Sequence, residues 1–291
     1  MIKSPIPFVG LHAHSTAGSP FDAIGFPQQH MDFAYENGSN ALALTDHGNC
    51  NGLAYQVLHA KSMEKEGKNF KPIYGVEAYF IPSLQEWAQT YEEYRASKKR
   101  KKDDAGSGFS VEDESETKNN KDKINKRSHL ILLAQNQIGL NNIFNLISQS
   151  FKPGNFYRFP RIDYDLLKKY NEGVIASSAC LGGIYAGNYW ANKDNGTDAV
   201  LNAMRETTEK MVEVFGDRWY GELQWIDHQD QHQLNQYIIK VCDEYGVELI
   251  STSDSHYYSP EVWKDRSLYK RLRPGIGALA GDLPASVEEV G

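Results

Sequence analysis

Short strand-like runs alternate with helix-like segments along most of this chain, and this alternation limits the possible folds more than any other feature. Helical patterns such as Pro27–Gly38 and Gly52–Gly67 space their apolar residues three and four apart. Strands that alternate with helices are typical of βα units, so the pattern predicts a parallel sheet, closed or open. The seven predicted strands are Phe8–Leu11, Ala41–Thr45, Pro72–Phe80, His129–Ala134, Gly173–Ser178, Trp219–Gln224 and Val247–Ser253.

The size and charge of the chain limit the number of domains and the kinds of surface it can have. At 291 residues it is long enough for one large domain or two small ones, and a single α/β barrel fits that length. The content of 40% hydrophobic and 24% charged residues allows a buried core. The net charge of -7 argues against a broad basic surface that grips nucleic acid. Nucleic acid remains open as a substrate, because bound divalent cations do not appear in this count.

Cysteine content and hydropathy indicate the compartment. The three cysteines are too few, and odd in number, for a disulfide framework, which favours a reducing environment. The N-terminus lacks the pattern of a signal peptide, and no apolar run reaches the length of about eighteen residues needed to span a bilayer. We therefore expect a soluble cytoplasmic protein without membrane association.

A charged insertion over Ser83–Arg127 interrupts the alternation. Its first part, Leu84–Lys102, predicts an exposed helix, and the rest is typical of a mobile, partly disordered loop. The basic run Lys98–Lys102 has two interpretations, contact with a phosphate backbone or a solvated charged surface, and the second is favoured.

Side chains that bind metals recur beside the predicted strands, mostly where strands end. Because the carboxyl ends of parallel strands converge on one end of such folds, these residues predict one cluster. Each histidine alone is better explained as a packed or hydrogen-bonded residue. Glu77 is stronger evidence for a metal site than any single histidine, since an ionised carboxylate in an apolar strand is costly to bury unless it is paired or metal-bound. The clustered residues are His12, His14, Asp46, His47, Glu77, His129, Cys180, Asp254 and His256.

This mixture of imidazole, carboxylate and thiol suits Zn, Mn or Fe rather than Ca or Mg, which prefer oxygen ligands. Such a site lowers the pKa of a bound water, supplies hydroxide at neutral pH and steadies charge on phosphoryl oxygens. The residue types therefore point to phosphoester hydrolysis.

The motifs "LHAHS", "LTDHGN", "GVEAYF", "SHLILLA", "SACLGG" and "TSDSHY" together resemble the polymerase and histidinol phosphatase (PHP) family. "ALALTDHGN", "SACLGG", "PRIDYDLL" and "GELQ" resemble most the branch found at the N-terminus of bacterial and phage DNA polymerase III alpha subunits. The resemblance runs from about Phe8 to about Tyr258, apart from the insertion. It implies an α/β fold, a distorted (β/α)7 barrel.

The resemblance also implies three divalent metal ions, Zn, Mn or Fe, with nine ligands. Cys180 favours Zn at one position. The three predicted ligand groups are His12, His14, Glu77 and Asp254; Glu77, His129 and Cys180; and Asp22, His47 and His256. The residues predicted to be catalytic are His12, His14, Glu77, Asp254 and His256.

Two residues of this implied site carry specific expectations. Asp46 is expected to orient its neighbour His47 without binding metal. Asp22 lies one residue farther from His14 than the family pattern leads us to expect. It is therefore either a ligand, which is favoured, or a cap of the following turn.

The leading functional hypothesis is a metal-dependent phosphoesterase acting on nucleic acid, specifically a 3′–5′ exonuclease on DNA associated with a replicative polymerase core. The alternatives are a phosphatase for a small phosphomonoester or a pyrophosphatase, and a metal-stabilised scaffold that docks a polymerase core without chemistry. Arg158 and Arg161, with Tyr157, are candidates for phosphate contacts, and packing or surface pairing is at least as good an explanation for them.

The expected organisation is a PHP domain over residues 1–265, which includes the insertion at 83–127, followed by a tail or linker over 266–291. No segment after the barrel offers the metal-binding carboxylates of a polymerase palm. We therefore expect this chain not to polymerise by itself, whether it is free-standing, a split fragment or an excised domain.

Overall fold

A computed structural model of the chain describes residues 8–104 and 121–272, and within them one eight-stranded sheet surrounded by helices. The strands are β1 (Ala41–Leu44), β2 (Lys71–Phe80), β3 (Ser128–Ala134), β4 (Phe156–Tyr157), β5 (Phe159–Ile162), β6 (Val174–Ser177), β7 (Trp219–Gln224) and β8 (Leu249–Thr252). The helices are α1 (Pro27–Glu36), α2 (Leu53–Lys65), α3 (Leu84–Asp104), α4 (121–125), α5 (Gln137–Ser150), α6 (Tyr164–Lys169), α7 (Ile184–Asn192), α8 (Thr197–Phe215), α9 (Gln229–Tyr245) and α10 (Trp263–Arg271).

The sheet is mixed rather than parallel. The pairs β1–β2, β6–β7 and β7–β8 are parallel, but β3 runs antiparallel to both β2 and β6. The prediction of a parallel sheet is therefore wrong at β3. The reason is that the connection from β2 through the insertion returns to the sheet at the end where β2 stops. As a result the first residues of β3 lie at the same end as the last residues of the parallel strands.

The N-terminal wall segment (10–14) closes the sheet into a barrel. On one side Gly10 bridges Leu42, and the amide of Thr45 donates to the carbonyl of Ala13 at 2.8 Å. On the other side Ala13 bridges Ser255, just beyond β8. The predicted strand Phe8–Leu11 is thus an irregular wall segment. With it and the strands β1, β2, β3, β6, β7 and β8 the ring has seven members, and the distorted (β/α)7 barrel is confirmed.

The helices pack their apolar faces on the outside of this barrel. In α8 the buried residues Val200, Met204 and Met211 recur at helical spacing and join the main core. Trp219 of β7 packs edge-on against Tyr185 of α7, with ring centres 5.7 Å apart. Alternate strand residues face the other way, into the barrel, and there the chain places polar groups.

A short hairpin of β4 and β5 was not predicted from the sequence. It pairs with the last residues of β2, where Tyr79 lies opposite Arg161. Its turn residue Arg158 has a φ of 59°, in the left-handed region. The hairpin therefore stands beside the end of β2, at the end of the barrel where the strand-linked histidines lie.

The first part of the insertion is helical, as the sequence predicts, but it is not exposed on all sides. Trp87 and Tyr94 of α3 are buried, with 6% and 3% of their surface exposed. Its other part, residues 105–120, lies outside the described residues. The predicted domain limit at position 265 lies inside α10, and the tail beyond residue 272 is also outside the described part.

Among the helices of 8–104 and 121–272, none combines the length and the apolar character required to cross a membrane.

Candidate metal centre

One end of the barrel brings all nine predicted ligands together. They reach it from the N-terminal wall segment and the loop after it, from β2 and β3, and from the loops after β1, β6 and β8. Whether each residue binds a metal stays a prediction. The nine residues are His12, His14, Asp22, His47, Glu77, His129, Cys180, Asp254 and His256.

Glu77 occupies the middle of the cluster. Its side chain is fully buried in β2. Its Oε1 lies 2.8 Å from His129 Nδ1 and 3.4 Å from His12 Nε2. Its Oε2 lies 2.5 Å from His47 Nδ1 and 3.5 Å from His14 Nε2. Burial opposes ionisation, but the neighbouring imidazoles hold the pKa of Glu77 well below its usual range, so it is a carboxylate that can bridge two cations.

Asp254 faces the same histidines from the loop after β8. Its backbone adopts a φ of 48°, which aspartate tolerates better than most residues. Its Oδ1 lies 3.0 Å from His14 Nε2 and 3.1 Å from His12 Nε2. Burial works against the charge, yet His12 and His256 hold the pKa of Asp254 well below its usual range. It therefore supplies a second ionised carboxylate.

Asp22 points its carboxylate at two histidines. Its Oδ2 lies 3.1 Å from His47 Nε2 and 3.5 Å from His256 Nε2. Although burial opposes ionisation, hydrogen bonds from His256 and His47 keep the pKa of Asp22 well below its usual range. Arg266 of α10 donates to the Asp22 carbonyl at 3.0 Å and places a guanidinium nitrogen 3.5 Å from Oδ1. Residue 266, assigned from the sequence to a tail, thus holds this loop in place.

Cys180 completes the cluster on the side of β3. Its sulfur lies 3.5 Å from His129 Nδ1 and 3.7 Å from Glu77 Oε1. Burial, together with the charge of Glu77, raises the pKa of the Cys180 thiol well above its usual value. The loop requires glycine at Gly183, where a Cβ atom would stand 2.0 Å from the carbonyl oxygen of Ser178.

Three compact groups of potential ligand atoms overlap with the predicted ones and do not exclude them. The predicted group of Glu77, His129 and Cys180 is also compact, since its three contacts are 2.8, 3.5 and 3.7 Å. His14 and His47 stack with ring centres 4.2 Å apart, and each belongs to two of the three compact groups. The three groups are His12, His14 and Asp254; His47, Glu77 and His129; and His14, His47 and His256.

The cluster passes a direct test of fit to metal ions. His12 Nε2, His47 Nδ1 and Glu77 Oε2 are buried and make no hydrogen bond of good geometry, although His47 Nδ1 and Glu77 Oε2 stand 2.5 Å apart. Buried polar atoms without partners are costly and rare in folded proteins. Imidazole nitrogens and a carboxylate oxygen facing one space are ligands suited to Zn, Mn or Fe. Divalent cations in that space would satisfy all three atoms, so the residues fit a metal centre.

Proton release on metal binding is an expected consequence. Burial acts against the charged form, but Glu77 and Asp22 raise the pKa of His47 to about 10, so the metal-free protein holds this proton at neutral pH. Burial, with His47 and His256 nearby, lowers the pKa of His14 to about 3, so His14 has none to release. We expect Mn²⁺ affinity to rise by about tenfold per pH unit for each proton displaced. Calorimetry in two buffers of different ionisation enthalpy measures this, and a pH-independent affinity would contradict it.

Asp46 does not contact the imidazole of His47. Its carboxylate accepts hydrogen bonds from the Ser15 amide at 2.7 Å, the Ser15 hydroxyl at 2.8 Å and the Ser19 hydroxyl at 2.9 Å. The Ser19 oxygen in turn lies 3.4 Å from His14 Nδ1 and accepts from the His47 amide at 3.1 Å. Asp46 therefore holds the turn between His14 and Asp22, and its role in orienting His47 stays a prediction.

The two arginines proposed from the sequence have different surroundings. Arg161 is fully buried and donates to the carbonyls of Tyr157, Phe159 and Ile124, each at 2.8 Å. These contacts favour the packing explanation for Arg161 over a phosphate contact, because three hydrogen bonds of its guanidinium go to backbone carbonyls. Arg158 is exposed at the hairpin turn, with its guanidinium 5.5 Å from the ring centre of Tyr157.

Glu222 is a residue of the site that sequence reasoning missed. It lies in β7 with 1% of its surface exposed, and its Oε1 is 2.7 Å from His12 Nδ1. The signal was present in "GELQ", an acidic residue inside a strand, which is the same signal that identified Glu77.

The chain is therefore a mixed α/β barrel with a candidate metal centre, because five histidines, three carboxylates and a cysteine meet at one end of it. The PHP domain family matches residues 10–225, and this chain belongs to that family. DNA polymerase III subunit alpha from Aquifex aeolicus is 35% identical over 254 residues, which cover 87% of this chain and 18% of the relative. The same subunit from Borreliella burgdorferi is 34% identical over 256 residues, again 87% and 18%. The chain thus spans less than a fifth of the length of these relatives.

Among solved structures, histidinol phosphate phosphatase from Lactococcus lactis, complexed with zinc, L-histidinol and phosphate, aligns with a TM-score of 0.38 and 13% identity. The alignment covers 91% of this chain and 93% of that protein. A similarity of this size supports no inference about the activity of this chain.

Proposed function

We propose that this chain is a metal-dependent phosphoesterase that hydrolyses phosphodiesters of DNA as a 3′–5′ exonuclease. The observation that carries the proposal is the convergence on Glu77 of four imidazoles, with three buried ligand atoms that make no hydrogen bond of good geometry. Together with membership of the PHP domain family, this donor set favours chemistry at phosphate over a purely structural barrel.

The three ligand groups predicted from the sequence would hold three divalent ions, with Glu77 shared between two of them. When bound, such ions lower the pKa of water and stabilise charge on phosphoryl oxygens. The protein positions the phosphate through the residues at the mouth. The side chains of His47 and His256 are 15% and 16% exposed, whereas those of His12 and His14 are fully buried. His256 Nδ1 donates to the Asp254 carbonyl at 2.9 Å, which turns its Nε2 towards Asp22. We infer that the scissile phosphate meets the centre on this side.

The rim beside the mouth supports a nucleic-acid substrate rather than a small ester. Tyr79 lies 5.4 Å from His129 and 5.2 Å from Phe159 of the hairpin, between ring centres. Beyond it Tyr157 packs against Tyr91 of α3 at 4.8 Å, with the exposed Arg158 above Tyr157. Aromatic rings beside cations are typical of surfaces that bind single-stranded nucleic acid. The relatives named DNA polymerase III subunit alpha are consistent with DNA and with a polymerase core as partner.

The experiment that tests this function compares substrates under one set of conditions. The metal content of the purified chain is measured first. Single-stranded DNA labelled at the 3′ or the 5′ end, p-nitrophenyl phosphate and pyrophosphate are then incubated with Mn²⁺ or Zn²⁺, with Asp254→Asn and His14→Ala variants alongside. If the wild type removes the 3′ label and the two variants do not, the proposal is supported. Turnover of p-nitrophenyl phosphate or pyrophosphate alone would indicate the phosphatase or pyrophosphatase alternative, and bound metal without turnover would indicate a scaffold.

Charge reversal at the hairpin tests the substrate class. We expect Arg158→Glu to slow DNA hydrolysis by about tenfold and to reduce the salt dependence of DNA binding by about one charge, as for loss of a phosphate contact. Turnover of p-nitrophenyl phosphate should not change, because that substrate does not reach the hairpin. Lys240→Glu, an equal charge change on α9 at the outside of the barrel, is the control. Equal effects of the two substitutions would contradict a DNA contact at Arg158.

A further inference from the structure

A second carboxylate is buried inside the barrel, on the side of His12 opposite to Glu77. Glu222 Oε1 accepts a hydrogen bond from His12 Nδ1 at 2.7 Å, and it also accepts from the Thr252 hydroxyl at 2.5 Å and from Gln224 Nε2 at 3.1 Å. Its Oε2 accepts from the Ser177 hydroxyl at 2.6 Å. Donors from β6, β7 and β8 therefore hold this carboxylate in one position.

The other nitrogen of the His12 ring faces the candidate metal centre. His12 Nε2 lies 3.1 Å from Asp254 Oδ1 and 3.4 Å from Glu77 Oε1, and it makes no hydrogen bond of good geometry. A neutral imidazole carries its proton on one nitrogen and a lone pair on the other. With its Nδ1–H donated to Glu222, a metal-bound His12 would present the Nε2 lone pair to the space between Asp254 and Glu77.

We propose that Glu222 is a positioning residue that fixes His12 as its Nδ1–H tautomer and aims its Nε2 at the metal held with His14 and Asp254. This inference rests on the metal centre of the proposed function. Glu222 binds no metal itself, because the imidazole of His12 lies between its carboxylate and the ligand atoms. A carboxylate partner also makes the imidazole a stronger electron donor, and the loss of such a partner typically weakens metal binding by about 10–100-fold.

A purely structural role predicts a different pattern. If Glu222 served only to join β6, β7 and β8, removing its partners on those strands would matter as much as removing its contact with His12. Ser177→Ala and Thr252→Val each delete one donor to Glu222 and leave the His12 contact intact, so they are matched controls. Glu222→Gln keeps the shape of the side chain and removes its charge, whereas Glu222→Leu also removes the acceptor.

The experiment measures zinc affinity by chelator competition, metal stoichiometry, and the melting temperature of the metal-free protein for all four variants. We expect Glu222→Gln to weaken the affected zinc site by about tenfold and Glu222→Leu by about 100-fold. The zinc affinity of the two controls should stay within about threefold of that of the wild type, even where their melting temperature falls. In zinc-loaded protein, nitrogen NMR should show a slowly exchanging, hydrogen-bonded proton on His12 Nδ1 in the wild type and a rapidly exchanging one in Glu222→Leu.

Two results would overturn the inference. One is a zinc affinity equal to that of the wild type in Glu222→Gln. This result would overturn the inference even if Glu222→Leu failed to fold. The other is a loss of affinity that follows the melting temperature equally in all four variants. None of these measurements involves turnover. A chain that binds zinc through this arrangement but hydrolyses nothing would therefore contradict the proposed function and leave the role of Glu222 standing.

Discussion

Replacing Glu77 by glutamine is expected to reduce hydrolysis by at least about a thousandfold, because one carboxylate faces four imidazoles and is shared by two of the three predicted metal positions. The amide keeps the size of the side chain but carries no charge, and its NH₂ group cannot act as a ligand. Metal stoichiometry, measured by elemental analysis after dialysis, should fall together with the rate. The pKa of His47, which the charge of Glu77 raises to about 10, should fall as well.

A matched control separates this effect from a general loss of acidic charge. Glu248 is exposed beside the first residue of β8, at the end of the barrel away from the cluster. Glu248→Gln makes the same chemical change there and should preserve metal content and rate. Full metal occupancy in Glu77→Gln, with only a small change in rate, would show that the metals lie elsewhere. The proposed centre would then be wrong.

The sequence predicted most strands because the evidence for a strand is local, whereas the direction of a strand is not, and the closed barrel was implied by the family resemblance alone. Apolar runs such as Ala41–Thr45 mark a strand wherever it pairs. The same run in either orientation has the same residue pattern, so the antiparallel β3 was not predictable. The hairpin of β4 and β5 was missed because its strands of two and four residues are too short to show periodicity. The N-terminal wall segment is irregular because its bonds to β1 and to the loop after β8 are isolated bridges.

The composition of the site was predictable, but its geometry was not. His12 and His256 could be assigned from residue type and from their positions at strand ends. Which of the predicted ligands share a candidate metal position depends on distances between side chains, such as the 4.2 Å stack of His14 on His47, and no spacing in the sequence encodes these distances. Arg161 is a different case. The sequence left a phosphate contact and packing open for it, and only the fold shows that carbonyl groups surround its guanidinium.

The burial of Arg161 leads to the second large expected effect, which is on stability. Arg161→Leu should lower the free energy of unfolding by about 2–4 kcal/mol, because three carbonyl groups lose their charged donor inside the protein. The guanidinium also packs 4.5 Å from the ring centre of Trp87, so it holds α3 against the hairpin. Arg161→Lys should restore little, since an ammonium group cannot reach three acceptors in the geometry of a planar fork. Urea denaturation of the metal-free protein measures these differences.

Arg158→Leu, in the same hairpin, is the control for this substitution. Its side chain is exposed and makes no backbone hydrogen bond that the described residues show, so we expect a change within about 0.5 kcal/mol. Metal affinity should be preserved in both variants, because neither residue contacts the Glu77 cluster. Normal stability of Arg161→Leu combined with weakened DNA binding would instead mean that the Arg161 guanidinium reaches substrate. Arg161 would then contact DNA, which is the role that burial assigns to Arg158 instead.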